Sequence, residues 1–118
     1  MTEQQFKATI VQLILNGNAE EAIKQLSKHY DVTAPRLKVG LPKGRRREVL
    51  GCYTARDRTI SVLNSDTLRQ PFIIIHEFYH HLRTAPDSKH RGTEKHADDF
   101  AKQFIQEYIA LARLGNDI

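Results

Sequence analysis

His76-Glu77-Phe78-Tyr79-His80 sets two imidazoles four residues apart, with a carboxylate directly after the first. On a helix, residues four apart lie one turn above each other on the same face. Two imidazoles so placed can bind one Zn²⁺ at about 2.0–2.1 Å each. Glu77 is turned about 100° from His76 around such a helix. It misses the metal yet reaches a water in the open coordination position, where a general base is needed. Two plainer readings compete. The histidines could be surface residues, or Glu77 could pair with His81 at the same four-residue spacing. The segment is apolar at nearly every other position, from Phe72-Ile73-Ile74-Ile75 onward, which suits a surface helix poorly.

A hydrolytic zinc site needs a third protein ligand and an open position. The extended metzincin pattern would place Gly and His three and six residues after the second histidine. Arg83 and Pro86 stand there, which excludes that class. The final helix offers a better candidate. Its projection puts Ala97, Phe100, Ala101, Phe104, Ile105, Tyr108 and Leu111 on an inward stripe, with Glu94 and Asp98 inside it. Lys95, His96 and Asp99 fall on the polar side. An acidic residue on an apolar face is costly unless paired or bound to metal. Glu94 is therefore expected as third ligand, and Asp98, one turn on, as an acceptor orienting a histidine N–H. The competing explanation is first-turn acidity favoured by the helix dipole, which accounts for Glu94 better than for Asp98.

The elements that must position these residues follow from periodicity. Phe6, Ile10, Leu13 and Ile14 predict an amphipathic helix from about Thr2 to Leu15, stopped at Asn16-Gly17. Asn18, with Glu21 three residues on, predicts a capped second helix to about Tyr30. Alternation over Arg36–Val39, Val49–Thr54 and Thr59–Val62 predicts three short strands. Ala55–Arg58 closes the last two into a hairpin. The third strand leads into the metal helix and is expected nearer the sheet centre. Helical period returns at Asp66, and Pro71 suits the first turn of a helix reaching about Arg83. Ile74, Ile75, Phe78, Tyr79 and Leu82 would anchor it, turning His76, Glu77 and His80 toward a cleft. After a polar loop, Thr93 is expected to cap a last helix that stops at Gly115. The fold class is α+β: a small three-stranded sheet packed on helices, in one domain over residues 1–118.

Composition narrows the function classes. The 118 residues are 40% hydrophobic and 27% charged, as in ordinary globular domains. A single cysteine, Cys52, excludes a disulfide scaffold. No apolar run reaches the roughly 20 residues that span a bilayer, and the start lacks a signal-peptide core, so the expectation is a cytoplasmic domain with no membrane partner. The excess of 18 basic over 14 acidic side chains concentrates in Lys43-Gly44-Arg45-Arg46-Arg47. No aromatic residue interleaves it and no nucleic-acid motif surrounds it, which favours a solvated loop over a nucleic-acid contact. His90 reads as a solvated loop histidine, and His81 and His96 project away from the metal face. Cys52, Tyr79 and Tyr108 read as packing residues.

His76-Glu77-x-x-His80 followed by Glu94-Lys95-His96-Ala97-Asp98 resembles the paired motifs of gluzincin metallopeptidases. In length and element order the chain looks most like the minigluzincins. The resemblance implies one zinc per chain on His76, His80 and Glu94, Glu77 as general base and acid, and a peptide or unfolded protein as substrate. It also implies an active-site helix followed by a glutamate helix, and latency when a terminal segment occupies the cleft. Two other readings stand beside it. One is a regulatory peptidase similar to the ImmA/IrrE group, which cleaves repressors. The other is a non-catalytic module that uses zinc structurally, or not at all, and the arginine loop as its contact.

Overall fold

The computed structural model of the chain describes residues 1–44, 49–84 and 94–116. Among them the order is α1 (Glu3–Leu15), α2 (Ala19–His29), β1 (Arg36–Val39), β2 (Gly51–Thr54) and β3 (Thr59–Val62). A 3-10 turn over Ser65–Arg69 follows, then α3 (Pro71–Leu82) and α4 (Glu94–Asn116). The fold is α+β, with a small mixed sheet against helices. None of the described helices is long and apolar enough to cross a membrane.

Local chemistry sets the helix ends. Thr2 accepts from Gln5 N–H at 3.0 Å while the Gln5 amide oxygen accepts from Thr2 N–H at 2.9 Å, a reciprocal capping box. At the other end of α1, Asn18 N–H donates to Leu13 C=O at 2.8 Å and Gly17 N–H to Ile14 C=O at 3.0 Å. This Schellman closure needs the left-handed Gly17, at φ 86°. It also overturns the pairing expected of Asn18 with Glu21. Asn18 does begin α2, but its side chain makes no capping bond. Its backbone, at φ −107° and ψ 47°, is occupied in closing α1 and is not in the extended conformation that aims a cap.

β3 is the central strand, parallel to β1 and antiparallel to β2. All four of its residues are buried, as a strand covered on both faces requires. The hairpin turn brings Arg58 to φ 52°. β2 is shorter than the expected Val49–Thr54, although Leu50 C=O still accepts from Leu63 N–H at 2.8 Å. That bond and the Gly51↔Val62 register set the alternation of the ladder. Cys52 and Thr54 bond toward β3, while Gly51 and Tyr53 direct their N–H and C=O groups to the open edge.

Pro71 sits in the first turn of α3. Ile74, Ile75 and Phe78 are fully buried, and with Ile10, Ile14, Leu26, Ile60 and Phe104 they form the core shared by helices and sheet. α4 packs on both α1 and α3. Its inward stripe is as expected, with Ala97, Ala101 and Phe104 buried. Gly115 does not stop α4, which continues through it to Asn116. The Thr93 cap, His90 and Arg45 to Arg47 lie outside the described residues.

Candidate metal centre and cleft

His76 and His80 leave successive turns of α3 with ring centroids 5.1 Å apart. Tyr79 packs against Phe100 at 5.1 Å between ring centroids, holding the start of α4 beside this part of α3. Glu94, the first residue of α4, is thereby delivered to both imidazoles. Its Oε2 lies 3.0 Å from His76 Nε2 and its Oε1 lies 2.9 Å from His80 Nε2. One donor atom from each of the three residues falls within 4.8 Å of the others. Donors at about 2.0–2.2 Å from a shared ion stand no more than about 4.4 Å apart, so small side-chain adjustments would let this trio hold one. Two imidazoles and a carboxylate are also a zinc donor set that leaves a coordination position open.

The burial differs from the helix projection in two ways. His76 and Glu77, placed on the polar side of α3, are only 7% and 8% exposed. At that turn the helix is covered nearly all round, by the sheet on one side and α4 on the other. Glu94, placed on the inward stripe, has a side chain that is 78% exposed. A residue in the first turn has no preceding helix to shield it, so it leans across the mouth of the site.

Asp98, one turn further along α4, places Oδ1 2.9 Å from His76 Nδ1. The distance is that of a hydrogen bond but the alignment is not, and the buried Nδ1 has no hydrogen-bond partner among the described residues. The contact is one of proximity without hydrogen-bond alignment. Asp99 and His96 are exposed on the other side of α4.

Glu77 and His80 line a cleft of about 450 Å³ whose opposite wall is β2. The close approach of β2 to α3 depends on Gly51. A Cβ there would stand 2.7 Å from Ile73 Cγ2 and 3.6 Å from Glu77 Cγ. Cys52 is buried as expected of a core residue, yet it also contributes to the cleft wall. Tyr79 is a packing residue as read, and Tyr108 lies far off, in a groove between α1 and α4.

His81 decides one of the plainer readings of the motif. Its Nε2 donates to Thr33 C=O at 2.7 Å, which leaves Nδ1 to accept from the Tyr53 hydroxyl, also at 2.7 Å. Both ring nitrogens are thus committed away from Glu77. Burial pushes the His81 pKa below its ordinary value, with the Arg58 charge adding to this and the Thr33 bond opposing it. A neutral His81 ties α3 to β2 and to the segment leading into β1.

Sequence reasoning passed over Arg83, which lines the same cleft. The signal was available: residues 76, 80 and 83 have the i, i+4, i+7 spacing of one helix face. Gly51 carried no such signal, because its role depends on a neighbour 22 residues away.

Compared with family models, curated proteins and solved structures, the chain matches none.

Proposed function

We propose that this chain is a zinc-dependent peptidase of the gluzincin kind that its two motifs resemble. The observation that carries the reading is the convergence of His76, His80 and Glu94 beside a cleft lined by His80, Glu94, Glu77 and the edge strand β2. Zinc on these three residues would lower the pKa of a water to about 7 and polarise the scissile carbonyl.

The chain's own residues account for the rest of the reaction. An extended peptide adds to the edge of β2, pairing with the outward N–H and C=O groups of Gly51 and Tyr53. The scissile bond then lies between β2 and α3, within reach of Glu77 in the same cleft. The Glu77 carboxylate takes a proton from the attacking water as its oxygen bonds to the carbonyl carbon. It returns that proton to the amine nitrogen as the C–N bond breaks. Asp98, 2.9 Å from His76 Nδ1, is the carboxylate that would orient the His76 ring once it ligates, the role an outer carboxylate plays beside a ligating imidazole. The substrate class is a peptide or unfolded protein, which can present the extended backbone that strand addition needs. The expected location is the cytoplasm, in keeping with the single cysteine.

The test is zinc content and hydrolysis of an unfolded protein, measured on wild type, His76→Ala and Glu77→Gln. The expected result is one zinc per chain and cleavage in wild type, no retained zinc in His76→Ala, and zinc without cleavage in Glu77→Gln. Full cleavage by Glu77→Gln would refute the mechanism, and wild type that takes up no zinc would refute the class.

A further inference from the structure

Arg83 extends the donor stripe of α3 toward the mouth of the cleft. Its backbone is fixed at the end of the helix, where its N–H donates to the Tyr79 and His80 carbonyls at 3.1 and 3.2 Å. Its guanidinium carbon lies 4.9 Å from the centre of the Tyr79 ring, and that ring is itself buried. Packing on an aromatic ring holds the planar fork in one place, which a flexible surface arginine lacks. The side chain lines the cleft together with Glu77, His80 and Glu94.

One atom is out of balance. Arg83 Nε is buried and has no hydrogen-bond partner among the described residues. A guanidinium does not lose its charge, so a buried donor on it carries a desolvation cost that an arriving acceptor would offset. The same cleft wall carries Glu77 and Glu94, which would repel an anionic group on a substrate. Arg83 is placed to reverse that repulsion at one point. A fork of parallel N–H groups matches a carboxylate in two bonds and a carbonyl oxygen in only one.

We infer that Arg83 recognises a carboxylate on the substrate. The inference rests on the peptidase reading for the identity of that substrate as a peptide. Two sources supply the chemistry: the free C-terminus of the peptide, or an Asp or Glu side chain near the scissile bond.

The test is binding, so that it does not depend on turnover. Short acetylated alanine peptides carry Glu or Gln at each position in turn, with the C-terminus free or amidated. Their affinity for zinc-loaded Glu77→Gln is compared with that for Glu77→Gln carrying Arg83→Gln or Arg83→Lys. A charged peptide should bind about 10- to 100-fold tighter than its neutral twin, the range of a charge-assisted hydrogen bond. The arm in which the difference appears, terminus or side chain, identifies the source. Arg83→Gln should abolish the difference, and Arg83→Lys, with charge but no fork, should restore part of it. Equal binding of charged and neutral twins overturns the inference, as does a difference that survives Arg83→Gln. If Arg83→Gln does not fold, Arg83→Lys decides: an undiminished difference overturns the role of the fork. Hydrolysis by wild type is scored separately. A carboxylate preference without hydrolysis supports Arg83 and counts against the peptidase, while hydrolysis without the preference does the reverse.

Discussion

Replacing Glu94 by Ala should separate metal binding from folding, because Glu94 bridges both imidazoles while its side chain stays 78% exposed. Without metal, truncating the exposed carboxylate also removes the oxygen 3.0 Å from the buried His76 Nε2, so the expected cost is that of one unpaired buried group, at most about 1–3 kcal/mol. With metal the expectation is different. Free zinc at about 100 times its dissociation constant would stabilise wild type by about 2.7 kcal/mol. At about 2.1 cal/mol/K per residue over 118 residues, that is a rise of about 11 °C in Tm. Losing an outer partner of a ligand costs about 10- to 100-fold in affinity, and losing the ligand itself should cost at least the upper figure. At the same zinc concentration the Glu94→Ala protein would then gain less than about 2 °C. Scanning calorimetry on chelator-stripped protein, with and without zinc, reads both quantities. His96→Ala, two residues away on the exposed side of α4, is the matched control and should keep the full zinc shift. A full shift in Glu94→Ala with none in His96→Ala would refute the ligand assignment. A metal-free loss well beyond about 3 kcal/mol would refute the premise that Glu94 serves the fold only through its contact with the imidazoles.

Three other perturbations give separable outcomes. Asp98→Asn should weaken zinc binding about 10- to 100-fold relative to wild type, while Asp99→Asn leaves it unchanged; equal affinities in a competitive chelator titration would reduce Asp98 to a tolerated helix charge. Gly51→Ala must push Ile73 or β2 aside, so denaturant unfolding should register a loss of about 1–3 kcal/mol together with reduced hydrolysis, and an unaltered midpoint would mean that the strand moves freely. Burial, with the Glu3 charge adding to it, pushes the Tyr30 hydroxyl from 10.0 up to about 12. The neutral phenol therefore contributes stability that is fully present below pH 10 and lost as pH rises through about 12. Tyrosinate absorbance should show a component titrating near pH 12 that Tyr30→Phe removes, and a titration curve whose late component survives in Tyr30→Phe would contradict this.

The parts of this molecule that were legible in the sequence are those governed by short-range periodicity. The apolar spacing in α1, α3 and α4 located each helix to within a few residues, because one buried face imposes the 3.6-residue repeat. The central place of β3 was legible from its connection into α3. What failed was decided by neighbours. Asn18 has a capping residue's identity, but closing α1 took up its backbone. Gly115 is a helix stopper by type, yet α4 continues through it to Asn116. His76 and Glu77 looked like a polar face because a projection knows one helix, whereas β2 and α4 cover that face from both sides.

That last mismatch bears directly on function. A polar stripe designed for solvent would leave His76 and Glu77 exposed, and burying them costs free energy unless something in the site compensates. His76 and Glu77 carry this cost at the turn of α3 that also receives Glu94 and Asp98 from α4. His81, one position beyond His80 and equally buried, marks the contrast. Its two nitrogens are satisfied by Thr33 and Tyr53, and it acts as a tie between elements. Among the described residues the ring nitrogens of His76 face three carboxylates, two of them from another helix, and its buried Nδ1 has no aligned partner. Imidazoles packed for structure are satisfied by the fold itself. Those at positions 76 and 80 are brought instead to an exposed carboxylate at the mouth of a cleft, which is how a site must be built if an ion and a substrate are to reach it from outside.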